Sequence, residues 1–166
     1  MEIRTVLKRP EKEDMEYIRW LWSDPETMEA VGGPVLLTDE EADRWYAYMV
    51  DPGRPTECYR LILNEEGDPI GEVSFHKLNL DNMAAMFNLK IVHSERGKGY
   101  GWEAMLLFLD YFFNELGGCK MVDEIALDNL RGQQVLLRFG FVHDPRQKEN
   151  FCVSITREQF NSINRL

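Results

Sequence analysis

Arg96-Gly97-Lys98-Gly99-Tyr100-Gly101 stands between an alternating apolar and polar run, Phe87-Asn88-Leu89-Lys90-Ile91-Val92, and a stretch from Trp102 to Leu116 with apolar residues at helical spacing. The first flank predicts a strand and the second an amphipathic helix. Glycines at 97, 99 and 101 let the backbone between them turn sharply and approach a ligand closely. The first N–H groups of a helix have no intrahelical partner and carry the positive end of its dipole, so a glycine-rich turn feeding a helix makes an anion cradle. The spacing is not the G-x-G-x-x-G of a dinucleotide site. Nor is it a P-loop, because Lys98 is followed by Gly99 rather than by a hydroxyl residue.

Working outward, Ile3 to Leu7 reads as a first strand, and Met15, Ile18, Leu21 and Trp22 recur at the spacing of an amphipathic helix punctuated by Asp24-Pro25. Thr38-Asp39-Glu40-Glu41 has the hydroxyl-then-acid form of a helix start, predicting a second helix over Asp39 to Met49. Strands follow at Glu57 to Leu63, Ile70 to Leu78 and Ala84 to Val92, the first two joined by the turn Glu65-Glu66-Gly67-Asp68. The long helix is expected to bury Met105, Phe108, Leu109, Phe112 and Leu116, to expose Glu103, Asp110 and Glu115, and to stop at Gly117-Gly118. A strand at Met121 to Leu127, a short helix at Leu130 to Arg138 and a last hairpin returning through Phe151 to Thr156 complete the order. A strand meander followed by strand-helix-strand-helix-strand implies a mixed sheet with helices on both faces.

A chain of 166 residues suits one domain. No window approaches the roughly 18 consecutive apolar residues of a membrane span. Met1-Glu2-Ile3-Arg4 lacks the apolar core of a signal peptide, so a cytoplasmic protein with no membrane partner is expected. Cys58, Cys119 and Cys152 form no CxxC and read as reduced thiols, and His76, His93 and His143 give no zinc spacing, so no metal is expected. A formal net charge of −10 argues against nucleic acid as a partner and favours cationic ones. An anionic ligand then needs a local basic island, for which Arg96, Lys98, Arg131 and Arg138 are nearest in sequence.

The Arg96-x-x-Gly99-x-Gly101 pattern, opening a helix after a strand, resembles the acetyl-CoA pyrophosphate loop of the Gcn5-related N-acetyltransferase (GNAT) superfamily. Trp22-Ser23-Asp24-Pro25-Glu26, Pro69-Ile70-Gly71-Glu72-Val73, Gly101-Trp102-Glu103-Ala104 and the run from Asn129 to Gly140-Phe141 resemble, in order and spacing, the subgroup containing the ribosomal-protein N-terminal acetyltransferases. The resemblance implies a single GNAT domain over residues 1–166. Its fold would be α/β (α+β), with a mixed, mostly antiparallel sheet, helices on both faces and a splayed central strand pair. The implied activity is acetyl transfer from acetyl-CoA (coenzyme A as co-substrate) to a primary amine by direct attack, since no cysteine sits in a nucleophile setting. The subgroup suggests a protein N-terminus as acceptor; the acidic charge suggests a small cationic amine such as an aminoglycoside. A homodimer is compatible with either. The alternative is an acyl-CoA-binding regulatory module without catalysis.

By position, the resemblance carries coenzyme contacts onto the backbone of Leu89, Lys90, Ile91 and Val92, onto the loop Arg96, Gly97, Lys98, Gly99, Tyr100 and Gly101, and onto Asn129, which would also cap the short helix. An alkyl amine, with a pKa of roughly 10.4, is protonated at neutral pH and needs a base before it can attack. Glu124, five residues before Asn129, falls where the resemblance implies the catalytic glutamate, and partial burial would raise its pKa. Glu72 is the second candidate and Asp128 a further acid nearby. Trp20, Trp22, Trp45 and Tyr46 fall in the helices expected to wall the acceptor site. Two positions depart from the pattern. Leu136 stands where many relatives place a tyrosine to protonate the departing thiolate, expected beside the coenzyme sulfur, and Met86 stands where polyamine-acetylating relatives commonly have an acid.

Overall fold

Thr38 starts its helix as its chemistry requires: Oγ1 accepts from the Glu41 N–H at 3.2 Å while the Glu41 carboxylate accepts from the Thr38 N–H at 3.2 Å. The computed structural model describes residues 2–163. In chain order these form β1 (Val6–Lys8), α1 (Met15–Ser23), α2 (Pro25–Met28), α3 (Asp39–Met49), β2 (Cys58–Leu63), β3 (Pro69–Asn79) and β4 (Ala84–Ile91). Then come α4 (Tyr100–Asp110), β5 (Lys120–Ile125), α5 (Leu130–Phe139), β6 (Val142–Asp144), β7 (Phe151–Thr156) and α6 (Arg157–Ile163). The strands make one seven-stranded sheet in the order β1-β2-β3-β4-β5-β7-β6. Every pair is antiparallel except β4 with β5.

Alternation along the strands divides the sheet between two apolar layers. Ile62, Val73, Phe75 and Phe87 belong to the larger core with Met105, Phe108 and Leu109 of α4, Phe112 just beyond it, and Leu136 and Phe139 of α5. On the other face Tyr59 and Leu61 pack with Ile18 of α1 and Tyr46 and Met49 of α3. The expected mixed sheet with helices on both faces is present.

Four local expectations are corrected. The first strand does not begin at Ile3, because the N–H groups of Arg4 and Thr5 are bonded to the Glu103 carboxylate, at 2.6 and 3.2 Å, and only Val6–Lys8 pairs with β2. Glu103 is accordingly buried, not exposed. The long helix begins at Tyr100, earlier than the apolar spacing indicates, because Gly99 at φ +90° turns the chain directly into it. Past Asp110 it continues as a π-helical turn, Tyr111–Glu115, and Leu116 lies 36% exposed instead of in the core. The last helix, α6, follows the final strand and starts at Thr156-Arg157-Glu158-Gln159, a second capping box. Thr156 N–H reaches Gln159 Oε1 at 2.9 Å and Gln159 N–H reaches Thr156 Oγ1 at 3.2 Å.

Close strand approach at one point constrains the sheet beside the glycine loop. A Cβ on Gly71 of β3 would lie 2.2 Å from the Lys90 carbonyl and 3.1 Å from Ile91 Cα. No side chain fits there without β4 moving away from β3. Gly71→Ala is therefore expected to cost about 1–3 kcal/mol, the usual range for overpacking. Urea unfolding measures it, and an unchanged midpoint would show that β4 can yield without cost.

Candidate active site

β4 and β5 pair over only three positions, Ala84 with Lys120, Ala85 with Met121 and Met86 with Val122. Beyond them β4 stays bonded to β3 as far as Ile91, and β5 stays bonded to β7 as far as Ile125. The two central strands therefore diverge, leaving one backbone edge of each without a strand partner. The splayed pair implied by the resemblance is present.

The ladder decides which backbone groups face the gap. Val92 N–H donates to Ile70 O at 2.9 Å, so Val92 is turned toward β3. Antiparallel pairing alternates, which turns Lys90 the same way and aims the Leu89 and Ile91 amides into the gap. Of the four residues expected to offer coenzyme contacts through their main chain, Leu89 and Ile91 turn their amides into the gap, while the Val92 N–H is bonded to β3 and Lys90 is oriented toward it. Arg96 Nε donates to the Ile91 carbonyl at 3.0 Å from the gap side, as that orientation requires.

The loop Arg96–Gly101 closes one end of this gap. Gly97 at φ +79° has nothing within 4 Å of where a Cβ would stand, and a Cβ on Gly101 would sit 3.5 Å from the Ile91 side chain and 3.6 Å from that of Leu89. Loop and splayed strand are thus in van der Waals register, with an open glycine surface at the start of α4. These residues fit an anionic, elongated ligand running from the helix start into the gap.

Several loop side chains hold structure. Arg96, beyond its bond to Ile91, donates through Nη2 to Thr27 O at 2.9 Å and ties the loop to α2. Burial first, then the neighbouring Arg131 charge, lowers the Arg96 pKa, which marks these two arginines as the nucleus of a basic island. Lys98 Nζ pairs with Glu95 at 2.9 Å. Tyr100 points its hydroxyl at Glu65, 2.7 Å away. Asn129 caps α5, its Oδ1 accepting from Gly132 N–H at 3.0 Å, and Gln133 Nε2 fastens the turn by donating to the carbonyls of Ala126 and Leu127 at 3.0 and 3.1 Å.

The acidic candidates separate clearly. Glu72, 1% exposed, receives Trp22 Nε1 at 2.9 Å and Lys90 Nζ at 3.2 Å on Oε1. It is already paired with Lys90, which also reaches Asn88 Oδ1 at 3.2 Å. Its Oε2 and the hydroxyls of Tyr17 and Tyr59 are buried with no hydrogen-bond partner among the described residues. Burial, then the Glu72 charge, drives both tyrosine pKa values upward, although the Tyr59 hydroxyl misses hydrogen-bonding geometry with the carboxylate. Trp22, Trp45 and Tyr59 enclose this group edge to face, with ring centroids 5.1 and 4.8 Å apart. Trp20, by contrast, is exposed.

Glu124 is exposed on β5, not partly buried as expected. The perturbed acid is its neighbour Asp123, half-buried at the first position past the last β4–β5 pair. Burial and the Glu124 charge push it up to about 7, against the opposing pull of the Glu124 N–H and of Lys90. Nothing in the sequence singles out Asp123 from Glu124 or Asp128, because the position of the divergence is a tertiary fact. Leu136 is 5% exposed within the larger core, so the position of the usual tyrosine is filled by apolar packing.

A profile described as an acetyltransferase (GNAT) domain matches residues 4–142. An uncharacterized N-acetyltransferase p20 from Bacillus licheniformis is 24% identical over 140 residues, covering 83% of this chain and 79% of that protein. A spermidine N-acetyltransferase from Vibrio cholerae, solved with CoA and spermine, superposes with a TM-score of 0.83 at 18% identity over 96% of this chain and 99% of that one. A spermidine/spermine N-acetyltransferase from Vibrio cholerae with manganese ions gives 0.77 at 19% identity over 96% of each chain. At such identities the solved structures show the fold alone. The finer resemblance to the ribosomal-protein subgroup is not supported.

Asp123 makes a prediction about stability. Its carboxyl binds a proton more tightly folded than unfolded, so stability is greatest below its ordinary value of 3.8 and is lost as pH rises through about 7. Asp123→Asn should raise Tm at about pH 8.5 and leave it nearly unchanged at about pH 4. A constant difference between the two proteins across this range would mean that the carboxyl is not destabilised by its surroundings.

Proposed function

Since the chain belongs to the GNAT acetyltransferase family, we propose that it transfers the acetyl group of acetyl-CoA to the primary amine of a small cationic molecule by direct attack. The divergence of β4 and β5 beside the glycine loop carries this reading, because it leaves amides at Leu89 and Ile91 turned toward one gap that the helix start also faces. These amides polarise the thioester carbonyl, and the helix start with the Arg96–Arg131 island receives the pyrophosphate. Asn129, at the mouth of α5, lines the pantetheine arm.

Glu124 takes the proton from the acceptor ammonium. Register puts Val122 opposite Met86, and alternation then puts Glu124 on the face that carries Glu72 and Lys90. The Trp22, Trp45 and Tyr59 rings on that face support recognition of a cationic acceptor, while the burial of Glu72 and its pairing with Lys90 support a structural part for that acid. A net charge of −10 also supports a small cationic acceptor over a neutral one. The V. cholerae neighbours are spermidine acetyltransferases, consistent with a small amine, whereas Met86 argues against polyamines in particular. Coenzyme A is a thiol with a pKa of roughly 8.5, so the thiolate departs without a donor at Leu136.

The reading is tested by following free coenzyme A release across polyamines, aminoglycosides and N-terminal peptides; binding without turnover on any of them would favour the regulatory-module alternative. Acetyl-CoA at a hundredfold excess over Kd should stabilise the fold by about 2.7 kcal/mol, and Gly99→Val should abolish that gain. Glu124→Gln is expected to lower kcat about 10²-fold with little change in KM for acetyl-CoA. An unchanged kcat would remove Glu124 from the role.

A further inference from the structure

Glu103 is a carboxylate buried in the first turn of α4, at the very place where an anionic ligand is to be received. Alone it would cost free energy by its burial and would repel that ligand. It is not alone. Its Oε1 accepts from the N–H of Arg4 at 2.6 Å and of Thr5 at 3.2 Å, and its Oε2 accepts from Arg4 Nε at 2.8 Å and from Arg4 Nη2. The same Nη2 continues to the carbonyl of Lys98 at 2.8 Å, and the guanidinium lies over the Tyr100 ring, 4.4 Å from its centroid. A Cβ on Gly99 would come within 3.2 Å of Nη2, so the guanidinium packs directly beneath the loop.

Building on the reading of this loop as the acetyl-CoA site, we propose that Arg4 is a positioning residue that holds the pyrophosphate loop in its anion-binding conformation without touching the ligand. Two physical consequences follow from the contacts. In a trans peptide the C=O and the following N–H point in opposite directions, so fixing the Lys98 carbonyl on Arg4 aims the Gly99 N–H away from Arg4 and toward the open side. The guanidinium also neutralises Glu103, so the field at the helix start stays positive although an acid occupies its first turn. The Tyr100 hydroxyl, bonded to Glu65, anchors the outer edge of the same assembly to the β2–β3 turn.

The test compares two acetyl donors that differ in the pyrophosphate. Acetyl-CoA carries it; S-acetylpantetheine has the same thioester and arm without it. For Arg4→Gln, KM for acetyl-CoA should rise about tenfold with kcat unchanged, the signature of lost uniform binding, while kcat/KM for S-acetylpantetheine stays within about twofold of the parent. Arg4→Lys, which keeps the charge but cannot serve Glu103 and Lys98 together, should fall between them, and it carries the test if Arg4→Gln does not fold. Equal losses on both donors would reduce Arg4 to a general stabiliser of the fold, and no loss on either would remove it from the site. A parent protein that uses neither donor would instead overturn the acetyl-CoA reading itself, a result recognisable before any variant is made.

Discussion

The structure turns on a parallel strand pair that lets go. β4 and β5 share three paired positions and then follow their other neighbours, β3 and β7, whose antiparallel ladders hold them for their full lengths. A sheet of this kind twists, and its two halves, anchored on β3 and β7, separate along a central seam whose ladder spans only three positions. Backbone N–H and C=O groups exposed by such a seam must find partners. The fold therefore contains, at its centre, a slot of main-chain donors and acceptors.

Charge is managed locally against a strongly acidic background. With a formal net charge of −10, the protein must still present an anion-binding surface at the start of α4. It does so by pairing acids one by one: Glu103 with Arg4, Glu95 with Lys98, Glu72 with Lys90. The Arg4 and Lys90 pairs involve carboxylates that are almost fully buried, where a lone charge would be costly and a neutralised one is tolerated. Asp123 makes no ion pair among the described residues, and burial beside the slot shifts it toward neutral pH against the pull of Lys90.

Much of this was legible from residue order. The glycine turn between strand and helix, the capping box at Thr38, the two-faced sheet and the helix stop at Gly117-Gly118 all follow from local preference and periodicity, which are properties of neighbours in the chain. The same logic misread Glu103, because an acid at the start of a helix is ordinarily a solvated one, and its partner Arg4 lies 99 residues away. Which amides of the splayed strand face the gap is hidden for a related reason: alternation is visible in sequence, but which alternate set faces which neighbour depends on the register with β3.

What the sequence determined by itself, then, is the kind of ligand the loop can take and the class of fold that presents it, since backbone freedom at glycine and helix polarity are intrinsic to the chain. Tertiary structure alone decided which groups meet there. The divergence after Met86 and Val122 opens the gap, the register with β3 turns the Leu89 and Ile91 amides into it, and Asp123 is half-buried there while Glu124 is exposed. Docking of the segment before β1 against α4 brings Arg4 beneath Lys98, and the β3–β4 register sets Lys90 against Glu72. Each of these depends on long-range contacts whose geometry no stretch of neighbouring residues encodes, because burial and electrostatic pairing are set by what the folded chain brings together.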